Sequence, residues 1–314
     1  MEGTAPLIDV FHRYSNTVGL LCVGDSAEME KTMGKILCST GAVIGKANNR
    51  DYRLLETLAK ELACDGFEFL MYSTWYGEVK ELTDAVEKMK LPIPVVHCEK
   101  HIGEFISKGG EENLAEAYKK FAVNCEMAER FGAERIVIHL WDGITSDANF
   151  RNNIEAYARL EESAHKHGLD LLVENVVCNR KDPMAHWCEL RERYPHIHFV
   201  YDTKMAAFHG QTDLLYGNEY EWLWREGHIC HYHINDYAGG HMDWKNLRAL
   251  PMGSGHIDFS RFFSYIRAIG YDGSFTVEAS AVNSDGTVDT DLLNRQFGFI
   301  REYIKEGQCA HDPA

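Results

Sequence analysis

The chain has 314 residues, of which 45% are hydrophobic and 25% charged, an ordinary globular composition that suits one large α/β domain. Its formal net charge of −16 argues against a nucleic-acid partner, because phosphate binding depends on clustered Lys and Arg. No apolar run approaches the roughly 18 residues that a membrane span needs, and MEGTAPLIDVFHRYSN lacks the basic start and apolar core of a secretory signal.

Residues 1–33 precede the first good strand and read as an N-terminal extension. Beyond them, short apolar runs alternate with longer amphipathic segments. Strands are expected at 36–44 (ILCSTGAVI), 66–72, 93–97, 135–139, 170–174, 198–202, 229–234 and 274–278. Helices are expected at 51–63, 78–89, 111–131, 148–167, 183–194, about 213–225, 258–268 and 288–305. Runs such as IVI and LLV, without alternation, suit parallel strands buried on both faces. Gly follows AERF and HKH, where a helix C-cap belongs. Eight such pairs within 34–314 favour a single (β/α)8 barrel, the TIM barrel, over an open doubly wound sheet. No G-x-G-x-x-G follows a strand, which removes the main support for dinucleotide binding. Gly253-Ser254-Gly255, before a helix, has the composition of an anion cradle. The nine cysteines are scattered singly with no C-x-x-C pair, and read as reduced thiols of a cytoplasmic protein.

The informative feature is what ends the strands. Five apolar runs each deliver one metal-competent side chain: His97, His139, Glu174, Asp202 and Glu278. The seventh, CHYHIND, places His231, His233 and Asn235 on one face. In a (β/α)8 barrel the C-terminal strand ends surround a single mouth. Carboxylates buried together there raise one another's pKa unless a cation compensates. Two Glu, one Asp and one His make an oxygen-rich site for Mn2+, Mg2+, Co2+ or Zn2+. A strand-end acid taken alone is more often the N-cap of the next helix, but coincidence at several strands favours a site. His231 is expected deeper in the same interior, in a structural role. His165, His167, His186 and His196 fall in helices or turns and are expected to be solvated, and Trp222 and Trp224 to pack. Trp141, shortly after His139, either walls the pocket or packs. Lys204 and Asn235 are placed to contact substrate hydroxyls, with a solvated loop charge the alternative for Lys204.

At these positions LLVENVV, FVYDTKM, YHIND, GSGHIDF and FTVEAS resemble the successive strand-end motifs of the xylose-isomerase-like barrel superfamily. That superfamily includes sugar isomerases and epimerases, inosose dehydratase, hydroxypyruvate isomerase and DNA repair enzymes of the endonuclease IV type. The resemblance runs from about residue 34 onward. It implies that Glu174, Asp202, His233 and Glu278 hold one divalent metal, with Mn2+ the expected ion. It also implies that Glu174 and Glu278 exchange protons with substrate. His139 is then a plausible additional base, and His97 a substrate-facing residue beside Trp141, Lys204 and Asn235. The implied activity is isomerisation or epimerisation of a keto-sugar or related polyol, by proton abstraction next to a carbonyl.

Three departures bear on that reading. Met205 stands where epimerase-like and repair members carry the His of Asp-x-x-His. Gly239 stands where epimerase-like members carry an Arg. Leu247-Arg248-Ala249 lacks the repair enzymes' additional ligands. The rival activity is a lyase that expels a β-leaving group from an oxo-sugar. Inosose dehydratase is one model, and the alpha subunit of a C-glycoside deglycosidase, working with a small partner subunit, is another. Phosphodiester hydrolysis on DNA ranks third. A small sugar-like molecule is the expected substrate, and homo-oligomerisation or a small partner subunit is compatible with the sequence.

Overall fold

The computed structural model describes residues 34–305, so the expected N-terminal extension lies outside the described residues. Eight parallel strands close into a barrel in chain order. They are β1 (Ile36–Ser39), β2 (Gly66–Leu70), β3 (Val95–His97), β4 (Arg135–Ile138), β5 (Asp170–Glu174), β6 (His198–Asp202), β7 (Ile229–Ile234) and β8 (Ser274–Val277). Closure is made by β1 and β8, with Leu37 beside Thr276. The longer outer helices are Val79–Met89, Glu111–Phe131, Phe150–Lys166, Pro183–Arg193, Phe259–Ala268 and Thr290–Lys305. Among the described residues, no helix is long and apolar enough to cross a membrane.

The period of two along each strand explains both the unbroken apolar runs and the position of the polar tips. Outward-facing Phe69, Val96, Ile136, Ile138, Val173, Phe199, Tyr201 and Phe275 join the core between barrel and helices. Inward-facing Leu37, Val95, Val137, Leu172 and Val200 form a separate apolar layer inside the barrel. Two residues further along the same faces come His97, His139, Glu174 and Asp202. The barrel interior thus has an apolar layer from β1 and β3 to β6, with polar side chains standing on its C-terminal side.

Several local expectations are corrected. The run 36–44 is strand only to Ser39, whose Oγ accepts from the Gly41 amide at 3.2 Å and starts the short helix Thr40–Val43. The segment 51–63 is broken into the short turns of helix Tyr52–Leu54 and Leu55–Leu58, and 213–225 into Thr212–Tyr216, Asn218–Tyr220 and Trp222–Arg225. Helices His101–Lys108 and Thr203–Phe208 were not expected; every residue of the second is buried, so it carries no amphipathic pattern to recognise. Gly132 does cap its helix in the left-handed region (φ 71°), where a side chain would be strained.

The Gly253–Gly255 turn does cradle an anion, but the anion belongs to the chain. The amides of Gly253 and Gly255 donate to Asp236 Oδ2 at 2.9 and 2.7 Å, and that of Ile257 to Oδ1 at 3.1 Å. His186 is not solvated. It is buried, stacks on Phe150, and meets Asp147 Oδ2 through Nε2 at 2.9 Å. Burial alone would raise the Asp147 pKa, but His186 and the amides of Lys181, Asn179 and Arg180 hold it down to about 2. His165 and His196 are exposed as expected, and His167 pairs with Glu129 at the surface. The seven described cysteines form no disulfide.

Candidate active site

Glu174, the inward-facing last residue of β5, is the hub. Its Oε2 lies 2.8 Å from His139 Nε2 and 3.1 Å from His97 Nε2, and its Oε1 lies 3.2 Å from His233 Nδ1. His233 Nδ1 is also 3.6 Å from Glu278 Oε1. Asp202 serves twice. Its Oδ1 accepts from the Met205 amide at 3.0 Å, capping Thr203–Phe208, while Oδ2 faces Asn235 Nδ2 at 3.2 Å and Lys204 Nζ at 3.3 Å. Asn235 Nδ2 also donates to Glu278 Oε2 at 2.8 Å, and Asn235 Oδ1 is buried without a partner. Ligand-competent atoms of Glu174, Asp202, His233 and Glu278 all lie within 4.8 Å of one another. The sets Glu68, His97, His233 and Glu278, and His97, His139 and Glu174, meet the same criterion.

The imidazole protons can be placed from what lies behind each ring. Behind His97 is the carbonyl of Cys98, an acceptor only, 2.9 Å from Nδ1, so Nδ1 carries the proton. Behind His139 is Asp142, with Oδ2 2.7 Å from Nδ1. Behind His233 is Glu68, with its two oxygens 3.0 and 3.2 Å from Nε2. Each ring therefore turns its other nitrogen toward the buried carboxylates of the mouth. A lone pair facing a carboxylate is repulsive, and either a second proton or a cation relieves it.

The electrostatics agree with that picture. Burial works against charge on His233, but Glu278, Glu68 and Glu174 hold its imidazolium well above the ordinary range. His139 is raised by Glu174 and Asp142 against the same opposition. Glu174 is lowered well below the usual carboxylate range by His139 and His233, although burial pushes the other way. Asp202 is the exception: burial, reinforced by Glu278 and Glu174 and opposed by Lys204, pushes it up to about 6. The site is thus rich in negative charge that the chain only partly compensates.

Residues 57–303 match the family model described as a xylose isomerase-like TIM barrel. The chain belongs to this family. No curated protein matches it in sequence. Among solved structures it is similar to an L-ribulose 3-epimerase (TM-score 0.62, 16% identity, covering 90% of this chain and 100% of that one). It is similar to D-psicose 3-epimerase of Clostridium cellulolyticum H10, whose structure holds D-tagatose (TM-score 0.62, 12% identity, 86% and 99% covered). A third is 3-keto-D-glucoside 4-epimerase of E. coli (TM-score 0.58, 19% identity, 86% and 99% covered). At these identities the likeness is one of fold.

Within this family member, the remaining sequence expectations divide. Lys204 is no solvated loop charge; it is buried against Asp202. Asn235 bridges the Asp202 and Glu278 carboxylates. Trp141 does not wall the pocket. Its ring is buried against Phe150 and His186 outside the barrel, and its indole N–H donates to the Val177 carbonyl at 3.2 Å. Trp222 and Trp224 pack as expected, on Phe199 and on Tyr265. A side chain at Gly239 would run into the Tyr237 hydroxyl, so an Arg there would require that ring to move.

Glu68 was missed. It is fully buried on β2 and accepts from His231 Nε2 at 2.9 Å, His233 Nε2 and Thr276 Oγ1 at 2.6 Å. Burial pushes its pKa up, but the adjacent His233 and His231 outweigh that and hold it well below the ordinary value. His231 is the deeper, structural histidine expected, with Nδ1 2.7 Å from Ser274 Oγ. The one available signal for Glu68 was a charge inside the apolar run GFEFLMY. Asn175 was also missed: it locks β5 to β6 by donating to the Asp202 carbonyl at 3.0 Å and accepting from its amide at 2.6 Å. Thr203 does the same for β7, donating to the Asn235 carbonyl at 2.6 Å. Glu68→Ala should lower the unfolding free energy by about 3–5 kcal/mol, because the buried His233 imidazolium loses a counter-charge and His231 and Thr276 lose their acceptor. A urea midpoint unchanged from wild type, at equal slope, would contradict this role.

Proposed function

We propose that the chain is a divalent-metal-dependent sugar isomerase or epimerase, acting on a keto-sugar or related polyol by removing the proton next to a carbonyl. The observation that carries the reading is the convergence of Glu174, Asp202, His233 and Glu278 to within 4.8 Å of one another. The fit to a cation rests on three features. The donor set is oxygen-rich with one imidazole, His233 turns Nδ1 toward Glu174 and Glu278 while Glu68 occupies Nε2, and Asn235 Oδ1 is left without a partner. Mn2+ is the ion we favour. A divalent cation held there would polarise the substrate oxygen and make the adjacent C–H bond acidic.

The chain's own groups would do the rest. Glu174 and Glu278 flank the site and can hold a proton between substrate carbons. His139, braced by Asp142, presents Nε2 beside Glu174 as a further acid or base. Lys204 and Asn235 carry the donors for substrate hydroxyls, and His97 borders the same space. The epimerases among the similar folds support the substrate class. The acidic surface supports a small-molecule substrate over a nucleic acid. A homo-oligomer or a complex with a small second chain is compatible with this reading.

The test is incubation of Mn2+-loaded protein with a panel of ketoses and 3-oxo-sugars in D2O. Solvent deuterium at the carbon next to the carbonyl, with interconversion of substrate and isomer, is the expected result. A dehydrated product or released aglycone, with or without an added small subunit, would favour the lyase reading. Neither exchange nor elimination on any candidate would overturn both.

A further inference from the structure

The opposite mouth of the barrel carries a second polar group, separated from the site above by the apolar layer of Leu37, Val95, Val137, Leu172 and Val200. Asp170 opens β5 on the face of Leu172, and His198 opens β6 on the face of Val200. Between β6 and β7 the register slips, so that Phe199 lies beside Ile229 and Val200 beside His231. Cys230 is the extra residue of that irregularity, and it packs against the inner apolar layer. His198 Nδ1 lies 2.7 and 2.9 Å from the two Asp170 oxygens. Ligand-competent atoms of Asp170, His198 and Cys230 lie within 4.8 Å of one another.

These donors differ in kind from those of the upper site. One thiol, one imidazole and one carboxylate, fixed by three adjacent strands, suit the tetrahedral coordination of zinc with water in the fourth position. The group is reachable. The His198 and Asp170 side chains are 38% and 34% exposed, and a cavity of about 280 Å³ opens beside Cys230. Arg135, which also lines that cavity, reaches toward Ser274 Oγ at 3.4 Å. The ring's hydrogen bonds with Asp170, to which it donates, and with Cys230 hold the His198 pKa up to about 10 against partial burial.

We propose that Asp170, His198 and Cys230 form a zinc-class cation site that ties the N-terminal ends of β5, β6 and β7 together. Binding would release the thiol proton and the second imidazole proton to solvent, leaving thiolate, neutral imidazole and carboxylate as ligands.

The probe is Co2+ added to the full chain after chelator treatment. The expected result is a sulfur-to-cobalt charge-transfer absorption complete by two equivalents, one for each site. It should be abolished in Cys230→Ser and kept in Glu174→Gln, because the upper site contains no thiol. His198→Asn keeps the sulfur and should weaken cobalt binding about tenfold or more, so a folding failure of the serine variant leaves the test intact. No sulfur–cobalt band in the folded wild type, or a band unchanged in both variants, would overturn the proposal. The outcome is independent of whether the chain isomerises sugars.

Discussion

Glu174→Gln is expected to reduce kcat/KM by about a thousandfold or more, and to release the divalent cation during gel filtration. The two oxygens of Glu174 serve both sides of the mouth, with Oε1 toward His233 and Oε2 toward His97 and His139. The amide keeps the shape but removes the charge that holds the His233 and His139 imidazoliums, and it can turn its NH2 toward a ring N–H. Elemental analysis beside the kinetics separates loss of the cation from loss of a proton carrier. Turnover within tenfold of wild type, with cation retained, would mean that Glu174 is neither ligand nor base. Acid should produce a milder form of the same defect. The folded pKa of Asp202 is raised to about 6, so its carboxyl takes up a proton as the pH falls through that value, and cation affinity should fall with it.

His139→Asn should lower kcat by about 10²–10⁴, the range for removal of a general acid or base, while leaving the cation in place. Asp142 holds Nδ1 at 2.7 Å, so Nε2 is the atom that meets Glu174 and the space above it. Burial opposes charge on this ring, but Glu174 and Asp142 raise its pKa above the ordinary histidine value. The neutral, basic form therefore accumulates only above that value. The wild-type rate in the direction that needs a base should rise with pH as the ring loses its proton, and His139→Asn should lose that limb of the profile. An unchanged limb in the variant would assign the titration to another group.

The barrel and most of its mouth were legible because one rule, alternation along a strand, governs both. Val95 and His97, Val137 and His139, Leu172 and Glu174, and Val200 and Asp202 are pairs two residues apart. The first member builds the apolar floor and the second stands on it. Glu68 escaped because it sits in the middle of its strand, at the level of the floor, where a charge is tolerated only by contacts with β7 and β8 that are 163 to 208 residues away in sequence. His186 and Trp141 were misplaced for a related reason. Their burial depends on Phe150 and Asp147 from another segment, which local pattern does not reveal. Helix Thr203–Phe208 is buried all round, so no polar face marked it. The Gly253–Gly255 turn has the composition of an anion cradle, and the fold fills it with the chain's own Asp236 carboxylate.

The most direct measurement is anomalous diffraction from crystals grown with Mn2+. One strong peak in contact with Glu174, Asp202, His233 Nδ1 and Glu278, with Glu68 still on His233 Nε2, is the result predicted here. No peak at that position under saturating Mn2+, with the four side chains still engaged only with one another, would contradict the account.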